Sequence, residues 1–158
     1  MLKSRASIRT ALLGSILVAL LAQGLAQAAE KQTDKPLYDR LGGVYPIAAV
    51  VDEFIDLLLV NDVLNANPAI KAAKVRVPAA GLKYHLTAMV CRETGGPCEY
   101  TGRSMKESHG HLKINEKEWQ ATMADLRRVM NNYEVPAKEQ DELMAIVEGM
   151  KKEIAVTE

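Results

Sequence analysis

From about position 37 onward, apolar residues recur three and four apart rather than alternating, which is a helical pattern with few strand signals. Leu37 to Leu41 suffices for one helical turn, and Gly42-Gly43 suits its stop. Pro46 sits where a helix starts, and Ile47, Val50, Val51, Phe54, Leu58 and Leu59 form one amphipathic stripe over about 46–60. Asn61 to Pro68 (NDVLNANP) is rich in turn formers and predicts a one-turn helix, with a further helical segment near 69–76. Pro78 opens another helix, on which Leu82, Leu86, Met89 and Val90 share a face with His85 among them. Gly95-Gly96-Pro97 ends it, and 95–104 reads as a loop. Ser104 and Glu107 make a capping-box pattern for a short helix whose inner face carries Met105, His109 and Leu112. Asn115 and Glu118 repeat the pattern before a long helix with the core stripe Trp119, Met123, Leu126, Met130 and Tyr133. Pro136 opens the last helix, with Leu143, Ile146, Val147, Met150 and Ile154 as its stripe. The fold class is all-α, and the uneven helix lengths argue against a regular four-helix bundle.

The first 29 residues follow a different rule. Lys3, Arg5 and Arg9 give a basic start, Ala11 to Leu21 is largely apolar, and Ala26-Gln27-Ala28-Ala29 offers an A-x-A cleavage site. That order predicts a secretory signal peptide over 1–29, cut near Ala28 or Ala29. The apolar run is short of the ~20 residues a membrane span needs. Residues 30–36 read as a flexible polar lead, and 37–156 as one domain. The processed chain is then expected in the periplasm or outside the cell, with no membrane attachment. Of 20 basic and 20 acidic residues, the leader holds three basic ones, so the remainder carries 17 against 20, a charge of −3. That balance, with no Lys/Arg run, argues against nucleic acid as a partner.

Chemistry rests on two cysteines and three histidines. In an oxidising compartment Cys91 and Cys98 either form a disulfide or stay as two separate thiols, and their spacing leaves both open. It is not a zinc spacing, and no C-x-x-C-H site for covalent haem attachment is present. His111 lies two residues from His109 and projects to another side, toward solvent. A lone His on an apolar face is most often structural. His85 and His109, however, fall on two separate helices, each within an apolar stripe. Two buried imidazoles without nearby acids cost free energy unless something uses them. Zinc wants four close ligands, which the sequence does not cluster. An iron in a flat apolar macrocycle between two helices uses one or two imidazoles well.

The segment Gly95 to His109 (GGPCEYTGRSMKESH) resembles the signature of group 1 truncated haemoglobins. There a double glycine ends the distal helix, and a Y-x-G-R turn and an M-x-x-x-H helix follow. Leu37 to Gly43 (LYDRLGG) and Val51 to Phe54 (VDEF) match further motifs, and the likeness runs from about Leu37 to Ile154. The resemblance implies a two-over-two helical sandwich holding haem b non-covalently. His109 would bind the iron on the proximal side, with Met105 packed on that face of the haem. Phe54 would pack on the distal side, and Leu82, Leu86 and Met89 would line the distal pocket. Arg103 would pair with a haem propionate, a match of guanidinium and carboxylate. Tyr100 and Gly102 would shape the loop rather than touch a ligand. His85 falls where some members supply a second axial His.

Two departures stand out. Many members carry Tyr where this chain has Ile55, which donates no hydrogen bond. Asn65-Ala66-Asn67-Pro68 occupies the stretch where a haem-stacking Phe is usual, and about six residues follow as an insertion; Phe54 is the single Phe of the chain. The expected function is reversible binding of oxygen or another diatomic gas such as nitric oxide, without a dedicated enzymatic activity but admitting nitric oxide dioxygenase-like side chemistry. A bis-histidyl electron-transfer or redox-sensing protein with a redox partner is the first alternative. A haem-free globin-like binding module is the second.

Overall fold

Gly42 and Gly43 both take φ of +86°, a conformation glycine reaches without steric cost, and their turn carries the chain from α1 (Leu37–Arg40) into α2 (Val44–Val60). The structure is a computed structural model that describes residues 35–155. The residues from Pro36 onward form one unit, and the sequence reading of 1–29 as a leader lies outside the described residues. α2 begins two residues before Pro46. Proline at the third position is tolerated because the first four N–H groups of a helix have no intrahelical partner.

The turn-forming asparagines after α2 are helix caps that also reach across the fold. The Asn61 side-chain oxygen accepts from the Val63 and Leu64 amides at the start of α3 (Asp62–Asn65), and its Nδ2 donates to Asp125 at 2.6 Å. Asn67 does the same for α4 (Pro68–Arg76), and its Nδ2 donates to the Leu112 carbonyl and to Glu118. α5 (Ala79–Glu93) follows Pro78. Both capping boxes form as the sequence pattern predicts, at Ser104 for α6 (Met105–His109) and at Asn115 for α7 (Glu116–Asn132).

The expected last helix is two. α8 (Ala137–Gly149) ends at a glycine, the poorest interior helix former after proline, and α9 (Lys151–Ile154) restarts after Met150. The break brings Ala155 beside Ile114 in an isolated parallel bridge and places α9 against α6.

Two helix pairs make the sandwich: α2 packs along α5, and α7 packs against α8, with α2 crossing onto α7. The main core joins Ile47, Val51, Phe54 and Ile55 of α2 to Met89 and Val90 of α5, Leu126, Val129 and Met130 of α7, and Leu143 of α8. A second cluster gathers Leu64, Ile70, Ile114, Trp119, Met123 and Ala155. The stripe on α7 differs from the sequence reading at one place. Val129 is fully buried, whereas Tyr133 is 44% exposed. Tyr133 is the C-cap, and Glu134 at φ +52° turns the chain away, so the helical period no longer applies there.

Arg40 ties α1 to α8. Its guanidinium donates to Glu139 at 2.8 Å and to Glu142, with its side chain only 5% exposed. No helix among the described residues is long and apolar enough to cross a membrane.

Candidate functional site

Between the helix pairs lies a cavity of about 1010 Å³. Its walls come from α2 (Phe54, Ile55), α5 (Leu82, His85, Leu86, Met89), the 95–104 loop (Tyr100, Arg103) and α6 (Met105, His109). Every residue singled out in the sequence for a haem or iron contact therefore borders one space. The helical period explains α5: Leu82, His85, Leu86 and Met89 repeat at three and four residues, so one face presents all four.

His109 is the best-held imidazole. α6 is short and begins at the Ser104–Glu107 box, and its last residue is His109. The Nδ1 of His109 lies 2.9 Å from the Met105 carbonyl, one turn back. A carbonyl only accepts, so Nδ1 carries the proton and Nε2 keeps its lone pair. Burial pushes the His109 imidazolium below the ordinary 6.5, and neighbouring His111 pushes the same way, against the Met105 carbonyl. The ring is neutral at pH 7, the form that binds a metal.

His85 is placed differently from expectation. It borders the cavity but is exposed, at the rim rather than buried. It stands mid-way along α5, exposed, while Leu82 and Leu86 on either side are half-buried against the core and Met89, one turn on, is buried. The anticipated cost of two buried imidazoles thus falls on His109 alone. His111 is exposed, as its offset from His109 dictates, though it borders the cavity mouth.

Cys91 and Cys98 are joined, with Cα atoms 5.7 Å apart. Cys91 is fully buried near the end of α5, and the bond returns the loop onto that helix. Tyr100 donates its hydroxyl proton to the Arg103 carbonyl at 2.6 Å, which fixes the turn, and its ring also faces the cavity, a contact the sequence did not reveal. A Cβ on Gly102 would collide with the Tyr100 phenol, so a larger residue here requires that ring to shift. Arg103 is exposed at the rim.

Lys74 of α4 was also hidden in the sequence. Its ammonium donates to the Leu58 and Leu59 carbonyls at 2.7 and 3.0 Å and to Asn65 at 2.6 Å, capping the end of α2 beside the cavity. Burial lowers its pKa. The only clue was a lysine on a weakly amphipathic helix, which is ordinarily a solvated residue.

The donor set suits one kind of guest. Among the described residues no group of three or more His, Cys, Asp or Glu could hold a bare metal ion. A single oriented neutral imidazole in a large apolar cleft fits a metal that brings its other ligands with it, as haem iron does.

An all-α fold with paired helices around an apolar cleft, and an imidazole on its wall, is the arrangement expected of a globin. A model of the bacterial-like globin family matches residues 36–156, and the chain belongs to that family as a truncated haemoglobin of group 1. It is 30% identical over 104 residues to the group 1 truncated hemoglobin GlbN of Synechocystis sp., covering 63% of this chain and 79% of that protein. The truncated hemoglobin of Tetrahymena pyriformis in its Fe(III) form superposes with a TM-score of 0.65 at 20% identity, over 78% of this chain and all of that one. A tyrosine-to-phenylalanine variant of the Tetrahymena protein gives the same values. The fold is the two-over-two helical sandwich.

Proposed function

We propose that this protein binds haem b non-covalently with His109 as the proximal ligand and takes up a diatomic gas, oxygen or nitric oxide, on the opposite side. The observation that carries this reading is the His109 ring. It stands on the wall of a haem-sized apolar cleft, and the Met105 carbonyl leaves Nε2 as its free donor. When bound, haem supplies an iron with a coordination position for the gas. The chain's own residues do the rest. His109 would hold the iron, and Met105 would cover the proximal face. Phe54, Leu82, Leu86 and Met89 would exclude water from the distal side. Arg103, exposed at the rim, would meet a propionate. Both cysteines are consumed in the 91–98 bond, so no thiol is left for a thioether to the haem.

Ile55 is buried and apolar where a hydrogen-bond donor would hold bound oxygen, so affinity rests on the pocket's dryness rather than on a distal hydroxyl. A second reading has a specific observation behind it: His85 borders the same cavity as His109. As a sixth ligand it would compete with gas, lowering apparent affinity by the fraction of open sites. Such a protein suits electron transfer with a redox partner. The leader-like first 29 residues and the disulfide both favour a periplasmic or secreted location.

The test is titration of the purified protein with haemin. A Soret band should grow to one equivalent, and fluorescence of Trp119, the one Trp of the chain and a residue bordering the cavity, should be quenched in step. A spectrum that stays that of free haemin, with Trp119 fluorescence unquenched beyond inner-filter loss, sinks the proposal and leaves the haem-free binding module.

A further inference from the structure

The His85 ring is restrained unlike that of His109. Among the described residues no hydrogen bond reaches its nitrogens, and its ring contacts are two tyrosines. Tyr84 lies edge-on at 5.2 Å, but it is the preceding residue of the same helix and 64% exposed, so it offers no foothold in another element. Tyr100 lies edge-on at 6.2 Å with an interplanar angle of 82°, and it comes from the loop. An edge-to-face pair at this separation is an attractive arrangement.

Tyr100 is itself immobilised on three sides. Its hydroxyl is bonded to the Arg103 carbonyl, the Arg92 guanidinium sits 5.0 Å from its ring centre, and Gly102 packs against its phenol end. Two residues before it, Cys98 is bonded to Cys91 of α5, the helix that carries His85. Helix, bridge, loop and Tyr100 thus close a ring of contacts that returns to His85.

We propose that Tyr100 is the positioning residue that keeps the His85 imidazole on the cavity wall, and that the Cys91–Cys98 bond holds Tyr100 in place to do so. The proposal rests on the reading of His85 as a second axial ligand. A thiol or phosphine reductant would deliver two electrons and two protons to the bond, giving two thiols. The loop would then be tied to α5 only by weaker contacts, and His85 would leave the wall more often. Loosening the loop should therefore favour the five-coordinate, gas-accepting state.

The experiment compares wild type, Tyr100→Leu, Tyr100→Phe and phosphine-reduced wild type, with His85→Ala as reference. Haemin-loaded protein is read by the low-spin fraction in its visible spectrum. Haem-free protein is read by nuclear Overhauser contacts between the rings at positions 85 and 100, with His111 as internal control. Tyr100→Leu should lower the low-spin to high-spin ratio between about twofold and tenfold, the scale of one aromatic pair, and should disorder the His85 ring but not His111. Reduction should act in the same direction. Tyr100→Phe keeps the ring but loses the bond to the Arg103 carbonyl, and should fall between wild type and Tyr100→Leu. If His85→Ala changes the spectrum while Tyr100→Leu and reduction do not, the positioning role is overturned and the ligand role stands. If haem binds and His85→Ala leaves the spectrum unchanged, both are overturned together, while haem binding at His109 survives.

Discussion

The Nδ1 atom of His109 stands 2.9 Å from the carbonyl oxygen of Met105, so the backbone of α6 itself orients the imidazole. Such a bond fixes the tautomer and the ring plane and raises ligand basicity. Replacing His109 by Ala removes the donor without adding bulk. The variant is expected to fold, yet to lose its Soret band when challenged with an excess of a haem-scavenging protein. Retention of a native spectrum after that challenge would refute the assignment.

The same residue makes the haem-free protein sensitive to acid. Its pKa in the folded state is held below the ordinary 6.5 by burial. The unfolded chain therefore binds more protons than the folded one as pH falls below about 6.5. This contribution is present in full above that pH and fades toward the folded-state value. Urea midpoints at pH 7.5 and 5.5 should fall further apart for haem-free wild type than for His109→Gln. Equal slopes would contradict the burial argument.

Two glycines should respond with opposite sign. A Cβ on Gly96 would collide with the Tyr38 ring and lie 2.7 Å from the Cys91 sulfur, inside the packed junction of α1 and α5. Gly96→Ala is expected to cost roughly 1–3 kcal/mol by overpacking. Gly81 is helical, with nothing within 4 Å of an added Cβ. Gly81→Ala should stabilise by about 0.5–1 kcal/mol through helix propensity. Thermal melts of the two variants check both signs.

Arg40 and Glu139 form the least exposed ion pair among the described residues, at 5% and 10% side-chain exposure. Arg40→Met leaves the Glu139 carboxylate buried without its cation and is expected to cost about 3 kcal/mol. Adding Glu139→Gln should recover part of that loss. A double variant no better than the single one in urea unfolding would show that packing of the long side chain, not charge, is what matters.

Most helices could be read from the sequence because their signals are local. Ser104–Glu107 and Asn115–Glu118 announce α6 and α7, and the spacing of Leu82, His85, Leu86 and Met89 places them on one face of α5. What escaped depends on long-range geometry. Val129 is buried and Tyr133 is not because the chain turns at Glu134, which periodicity does not register. His85 is exposed although Leu82 and Leu86 beside it are half-buried, a difference helical spacing does not register. Whether Cys91 meets Cys98 is decided by the path of a loop, not by seven residues of spacing. Glu139 and Glu142, which Arg40 pairs with, lie 99 and 102 positions away, beyond any pattern.

One wall of the cleft is built more sparingly than the others. α4 sinks only Ile70 into the core and is otherwise secured by the Lys74 ammonium and the Asn67 cap. Residues 71, 72 and 75 answer to solvent rather than to the cleft. This stretch is thus where the chain has most latitude to change in evolution, and where an added label, an inserted peptide or a protease site would least disturb the opposite walls.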